Sequence, residues 1–159
     1  MAAALLAAAA ASPALADPGG EVRAVYGRFL EAQNARDLGR VRQVLLDSPR
    51  FLWVSDGMSV WGPDALIARM SLFQKAEAWR VDPDLGKAVA VEVDDRAAYL
   101  HLPLVLTIGP AANPDRLRFL VSVLGVETAQ GWRIAALFTT NQKGPRPARR
   151  ARATRPRPR

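Results

Sequence analysis

The stretch FLWVSDGMSVWG, residues 51–62, sets Asp56-Gly57 between two short apolar runs. Asp and Gly accept the positive φ angles of a type I′ turn, so these residues predict a β-hairpin with a two-residue loop. On that reading Asp56 is a turn residue and not an acid catalyst. Strand alternation then puts Phe51, Trp53, Met58 and Val60 on one face and Leu52, Val54 and Trp61 on the other. Both faces are apolar. Such a hairpin has to be covered on both sides, by helices on one and by a partner subunit or a ligand on the other.

Upstream, Val22, Val25, Tyr26, Phe29 and Leu30 recur at helical spacing, and Leu38, Val41, Val44 and Leu45 repeat the pattern after Asn34. Asp37 occupies the N-cap position of the second helix and Pro49 closes it. Downstream, Gly62-Pro63-Asp64 opens a third helix carrying Leu66, Ile67, Met70 and Phe73. After Trp79 the chain reads as strands: KAVAVEV, AAYLHLPLVLTI, RLRFLVSVLGVET and WRIAALFTT. Turns at Asp94-Asp95-Arg96, from Gly109-Pro110 to Asn113-Pro114, and at Gln130-Gly131 separate them. Helix, helix, hairpin, helix and antiparallel meander make an α+β domain. A chain of 159 residues that is 50% apolar suffices for one such core.

The formal charge of +7 points to a polyanion partner until it is located. Lys143, Arg146, Arg149, Arg150, Arg152, Arg155, Arg157 and Arg159 supply 8 of the 22 bases, which leaves 14 against 15 acids, a net charge of −1. The pI of 10.9 therefore describes a tail, and the folded domain has no charge basis for binding nucleic acid. The segment 143–159 interleaves Pro and Arg, has nothing to bury, and is expected to be disordered; its charge suits an anionic surface. At the other end, an alanine- and leucine-rich run precedes Ala14-Leu15-Ala16, a small-x-small cleavage signature. Residues 1–16 thus read as a signal peptide, although no Lys or Arg precedes the run, and the domain at 17–142 as periplasmic or secreted. Cysteine is absent and His101 is the only histidine. Thiol chemistry, disulfides and multi-histidine metal sites are excluded, and no cofactor is implied.

Three phrases carry a family resemblance in order along residues 21–141: FLEAQNARDLGRVRQVL, FLWVSDGMSVWGPDAL and RFLVSVLGVETAQGWRIAAL. The chain resembles the nuclear transport factor 2-like superfamily in its SnoaL-like branch. That resemblance implies a cone-shaped fold in which a curved antiparallel sheet wraps three helices from the N-terminal half. It also implies an internal apolar pocket and a homodimer formed through the outer sheet face. The superfamily includes ketosteroid isomerase and SnoaL-type polyketide cyclases, in which a pocket carboxylate moves protons, and also non-catalytic domains. Fold alone does not choose among them. Related domains commonly place histidines or other polar residues after the Gly-Trp-x-Ile phrase, where this chain has Ala136 and Phe138. Neither moves a proton.

For chemistry the candidates are His101 and Tyr99. They alternate with Leu100, Leu102, Leu104 and Leu106, so if the leucines are core, His101 and Tyr99 point into the pocket as a base and its neighbour. Glu92 shares the His101 face if Asp94-Asp95 is a two-residue turn; a three-residue turn reverses that. Asp82, Asp84, Asp94 and Asp95 read as solvated loop acids. The resemblance implies a pocket lined by the elements that carry Tyr26, Trp53, Trp61, Phe73, Trp79 and Phe138, and Trp and Tyr are in addition costly to bury without a partner for their polar edge. Trp132 reads as structural. The leading reading is a domain binding a small, mostly apolar molecule. An isomerase, cyclase or hydrolyase using His101 is the alternative from enzymology, and a dimerisation or interaction module with a vestigial pocket is the third.

Overall fold

The computed structural model of the protein describes residues 17–143. The expected signal peptide at 1–16 and all of the Arg/Pro-rich tail after Lys143 lie outside the described residues.

Helix α1 (Pro18–Asn34) is started by Asp17, whose carboxylate accepts from the Gly20 amide at 2.8 Å, with proline at the first helical position. After Ala35, Arg36 takes a left-handed φ of 58° and turns the chain into α2 (Leu38–Val44), capped by Asp37 accepting from the Arg40 amide at 2.9 Å. That helix stops well short of Pro49. Leu45 is already extended and bridges Ile134, and the Leu46 amide donates to the Ile134 carbonyl. Its end is thus set by pairing with a distant strand and not by proline.

The hairpin follows as β1 (Leu52–Ser55) and β2 (Met58–Trp61), with Asp56 at φ 52° and Gly57 at φ 70° in the two-residue turn. Trp53 faces Val60 and Leu52 faces Trp61. Helix α3 (Pro63–Phe73) begins after Gly62, again with proline first. Strands β3 (Ala78–Pro83) and β4 (Val89–Asp94) are joined through a short 3-10 turn at Leu85–Lys87, and β5 (Ala97–Gly109), β6 (Asp115–Thr128) and β7 (Gly131–Asn141) complete the chain.

The sheet has seven strands in the order β2-β1-β7-β6-β5-β3, with β4 also on β5. It is mixed where the meander predicts full antiparallel pairing, because β1 runs parallel to β7, Leu52 beside Ala136 and Val54 beside Phe138. Strand β3 departs from the sequence reading, which has a polar loop there. It pairs with the far half of β5 from Ala78–Gly109 to Pro83–Leu104, while β4 takes the near half. Asp82 and Asp94 are accordingly strand residues.

The curved, open sheet packs against α1. Val22, Val25, Tyr26 and Phe29 pack against Leu100, Leu102, Val121, Val123 and Ile134 in one buried cluster. Each fully buried aliphatic side chain of this kind stabilises the fold by about 1.5–3 kcal/mol relative to exposure. The leucines of β5 are core, as their alternation predicts.

Candidate functional site: an apolar cavity

Beyond the packed end of this core the sheet and helices diverge around a cavity of about 260 Å³. That is just below the range of about 300–1,000 Å³ typical of drug-sized ligands. Helix α1 contributes Tyr26, Phe29 and Gln33, and the hairpin contributes Trp53, Ser55 and Asp56. Leu66, Met70 and Phe73 come from α3, and Trp79 and Val81 from β3. The remaining wall is the inner face of β5, β6 and β7, from Leu104 and Leu106 to Thr139 and Asn141.

The aromatic walls are fixed by hydrogen bonds at their polar edges. Trp53 Nε1 donates to Thr139 Oγ1 at 3.3 Å, and Trp79 Nε1 donates to the Gln33 carbonyl at 3.1 Å. Gln74 Nε2 reaches the same carbonyl at 3.4 Å. Tyr26 stacks on Phe29 with ring centroids 5.8 Å apart. Burial pushes the Tyr26 phenol above its ordinary value, so it is a neutral hydroxyl that donates and accepts. The side chains of Tyr26, Ser55 and Asn141 make no hydrogen bond to another described residue. They are the polar groups the cavity can offer a guest.

Behind the aromatic wall, over two of its rings but not itself among the lining residues, stands Arg69, which sequence reasoning missed; the one charged side chain on the lining is Asp56. The Arg69 guanidinium lies 5.6 Å from the Trp53 ring centroid and 5.0 Å from that of Phe73, and 3.8 Å separates Nη2 from Asp56 Oδ2. A signal was present: Arg69 falls between Leu66 and Phe73 on the apolar stripe of α3, one turn from each, where a cation has to be accounted for.

Of the residues expected in the pocket, Tyr26, Trp53, Phe73 and Trp79 line the cavity, and Trp61 and Phe138 do not. Trp61 alternates with the inward-facing Val60 and is 58% exposed. Phe138 pairs with Val54 and Ser122 on the outer face and is 41% exposed. A bulge in β7 is the reason: Ile134 faces Gly125 while Ala136 faces Leu124, so the residues after Ala135 change sides.

His101 and Tyr99 also lie on the outer face. Core and cavity share the leucine face of β5, Leu100 and Leu102 in the core and Leu104 and Leu106 at the cavity, so the alternate residues point away from both. His101 Nδ1 sits 2.9 Å from Ser122 Oγ across the β5–β6 ladder. The turn is Asp95-Arg96 and a register shift separates Glu92 from Asp94, so Glu92 pairs with Ala98 and takes the opposite face from His101. No cluster of potential metal ligands occurs among the described residues.

A family model described as a SnoaL-like domain matches residues 22–137. No curated protein matches the chain. Among solved structures, the chain is similar to a nuclear transport factor 2-like superfamily protein from Salmonella enterica serovar Typhimurium. The TM-score is 0.69 at 14% identity, over 79% of this chain and 92% of that one. It is also similar to a protein with a cystatin-like fold from Caulobacter vibrioides (TM-score 0.68, 17% identity, 79% and 90% covered). A third is Aln2 from a Streptomyces species (TM-score 0.63, 18% identity, 77% and 89% covered). At these identities the likeness is one of fold.

Proposed function

Because this chain belongs to the SnoaL-like domain family, we propose that it is an exported, homodimeric binding domain whose cavity holds a small, mostly apolar molecule. The observation that carries the reading is the cavity wall. Trp53 and Trp79 are locked by their indole N–H groups, so they present rigid apolar surface, and Tyr26, Ser55 and Asn141 are left to orient a guest. Preformed apolar walls with few convergent polar groups are the usual makeup of a small-molecule site. The enzyme alternative needs His101 and Tyr99 to reach that space, and both point the other way.

The dimer is supported by a separate feature. Trp61, Phe138, Tyr99, Val89 and Val91 are all exposed, and strand pairing puts them on the outer face of the sheet. Exposed apolar side chains gathered on one sheet face mark an interaction surface, and a second copy of the chain is the occupant that covers it symmetrically. Export rests on the alanine-rich run and the Ala14-Leu15-Ala16 signature, with the periplasm or exterior as the destination.

Native mass spectrometry of the protein purified from its own host tests all three parts together. The expected result is twice the mature chain mass, a chain beginning at Asp17, and an added small-molecule mass that is lost on activation. A monomer with an intact Met1 and no retained ligand would overturn the reading.

A further inference from the structure

We propose that Arg69 makes the cavity selective for an amphipathic carboxylate, with the apolar body between the Trp53 wall and the β5–β6 wall and the carboxylate on the guanidinium. The proposal deepens the binding reading and rests on it.

The Arg69 guanidinium carbon lies 5.6 Å from the Trp53 ring centroid and 5.0 Å from that of Phe73, both of which line the cavity although Arg69 itself does not. Its side chain is 23% exposed, and of its three nitrogens Nε is the one shut off from water. A guanidinium carries five N–H donors in a planar fork. None of them is hydrogen-bonded to another described residue, and Nε is buried without a partner. The nearest acid, Asp56, stays at 3.8 Å, beyond hydrogen-bonding distance, and its own side chain is 62% exposed and largely hydrated. An arginine placed over two aromatic rings, with its donors free of hydrogen bonds to other described residues, can take a carboxylate in bidentate fashion. Leu104, Leu106 and Leu117 on the sheet wall offer nothing to a second charge. The recognised molecule therefore has one anionic end and an apolar remainder. Asp56, which lines the cavity and stands 3.8 Å from Arg69, competes weakly for the same cation and opposes the guest's carboxylate.

Calorimetric titration of the full chain with octanoate, octan-1-ol and octylamine at neutral pH tests this, because the three share an apolar body and differ in charge. Octanoate is expected to bind about tenfold or more tighter than octanol, as a charge-assisted pair in a partly buried site requires, and octylamine most weakly. Arg69→Met should bring octanoate to the octanol level and leave octanol unchanged. Asp56→Asn, which keeps a residue tolerant of the left-handed turn, should tighten octanoate. Equal binding of octanoate and octanol to the native chain overturns the anion preference and leaves the cavity reading standing. Failure of all three to bind overturns both. If Arg69→Met lowers the thermal midpoint too far to be measured, Asp56→Asn decides: an octanoate affinity that it does not raise overturns the proposal.

Discussion

A Cβ placed on Gly125 would stand 2.8 Å from Cγ2 of Val22 and 3.3 Å from Cε3 of Trp132, so β6 passes under α1 at a distance that only glycine allows. Val22 is fully buried and Gly125 pairs with Ile134 beside a register shift, so neither strand nor helix is free to retreat. Gly125→Ala is accordingly an overpacking substitution, expected to cost about 1–3 kcal/mol. The urea midpoint should fall with an unchanged m-value. Pairing it with Val22→Ala should recover part of the loss; strictly additive effects would refute the steric account.

The hairpin was legible because Asp56-Gly57 selects a turn chemically, and the helices were legible because their apolar spacing is local. Trp61 carried its own signal, since the alternation that put Trp53 inward already put Trp61 outward. Phe138 did not. Its side depends on the bulge near Ala135, and on pairing with a strand far away in sequence, neither of which local alternation encodes. Strand β3 escaped because Ala78-Trp79-Arg80-Val81-Asp82-Pro83 offers two apolar alternations before an acid and a proline. Proline is tolerated there because β3 is an edge strand. His101 is misplaced when core and cavity are treated as opposite faces, because both occupy the leucine side.

Asn34 is what holds that edge. Its Nδ2 donates to the Val81 carbonyl at 2.9 Å and its Oδ1 accepts from the Val81 amide at 2.8 Å, so one side chain imitates a neighbouring strand. Val81 is buried, and Asn34→Ala strands two backbone groups there. The expected loss is about 1–3 kcal/mol. Amide hydrogen exchange should accelerate at Val81 well before it changes in β6; uniform acceleration through the sheet would contradict a local role.

Tyr26 predicts an alkaline weakness. Its folded form is kept protonated by burial, with the phenol shifted above its unfolded value, so its contribution is fully present below about pH 10 and is lost as pH rises from there toward the folded value. Tyr26→Phe removes the titrating group, and the Tyr26 hydroxyl makes no hydrogen bond to another described residue. The variant should match the native protein within about 1 kcal/mol at neutral pH and exceed it at about pH 11. Parallel stability curves across the alkaline range would show that Tyr26 ionises without penalty.

The outer face is tested by charge. Trp61→Arg with Phe138→Glu removes two exposed aromatics and touches no cavity wall. Sedimentation at micromolar concentration should shift from dimer to monomer while the circular dichroism spectrum stays native. A dimer that survives both changes uses another surface.

His101 separates the remaining alternatives. Its ring meets Ser122 across the ladder at 2.9 Å, on the same outer face as Tyr99 and Phe138 and on the opposite side from Leu104 and the cavity. His101→Ala deletes one cross-strand hydrogen bond, worth about 0.5–1.5 kcal/mol of folding free energy, and a side chain of the proposed dimer surface. Thermal midpoint and dimer affinity should therefore both fall modestly, while octanol binding in the cavity stays where it was. A general base in the cavity would behave in the reverse way, because losing it costs about 10²- to 10⁴-fold in turnover at little cost to folding. If an activity is found and His101→Ala keeps its thermal midpoint and subunit number yet loses about a hundredfold in rate, the binding reading gives way to an enzyme working on the outer face.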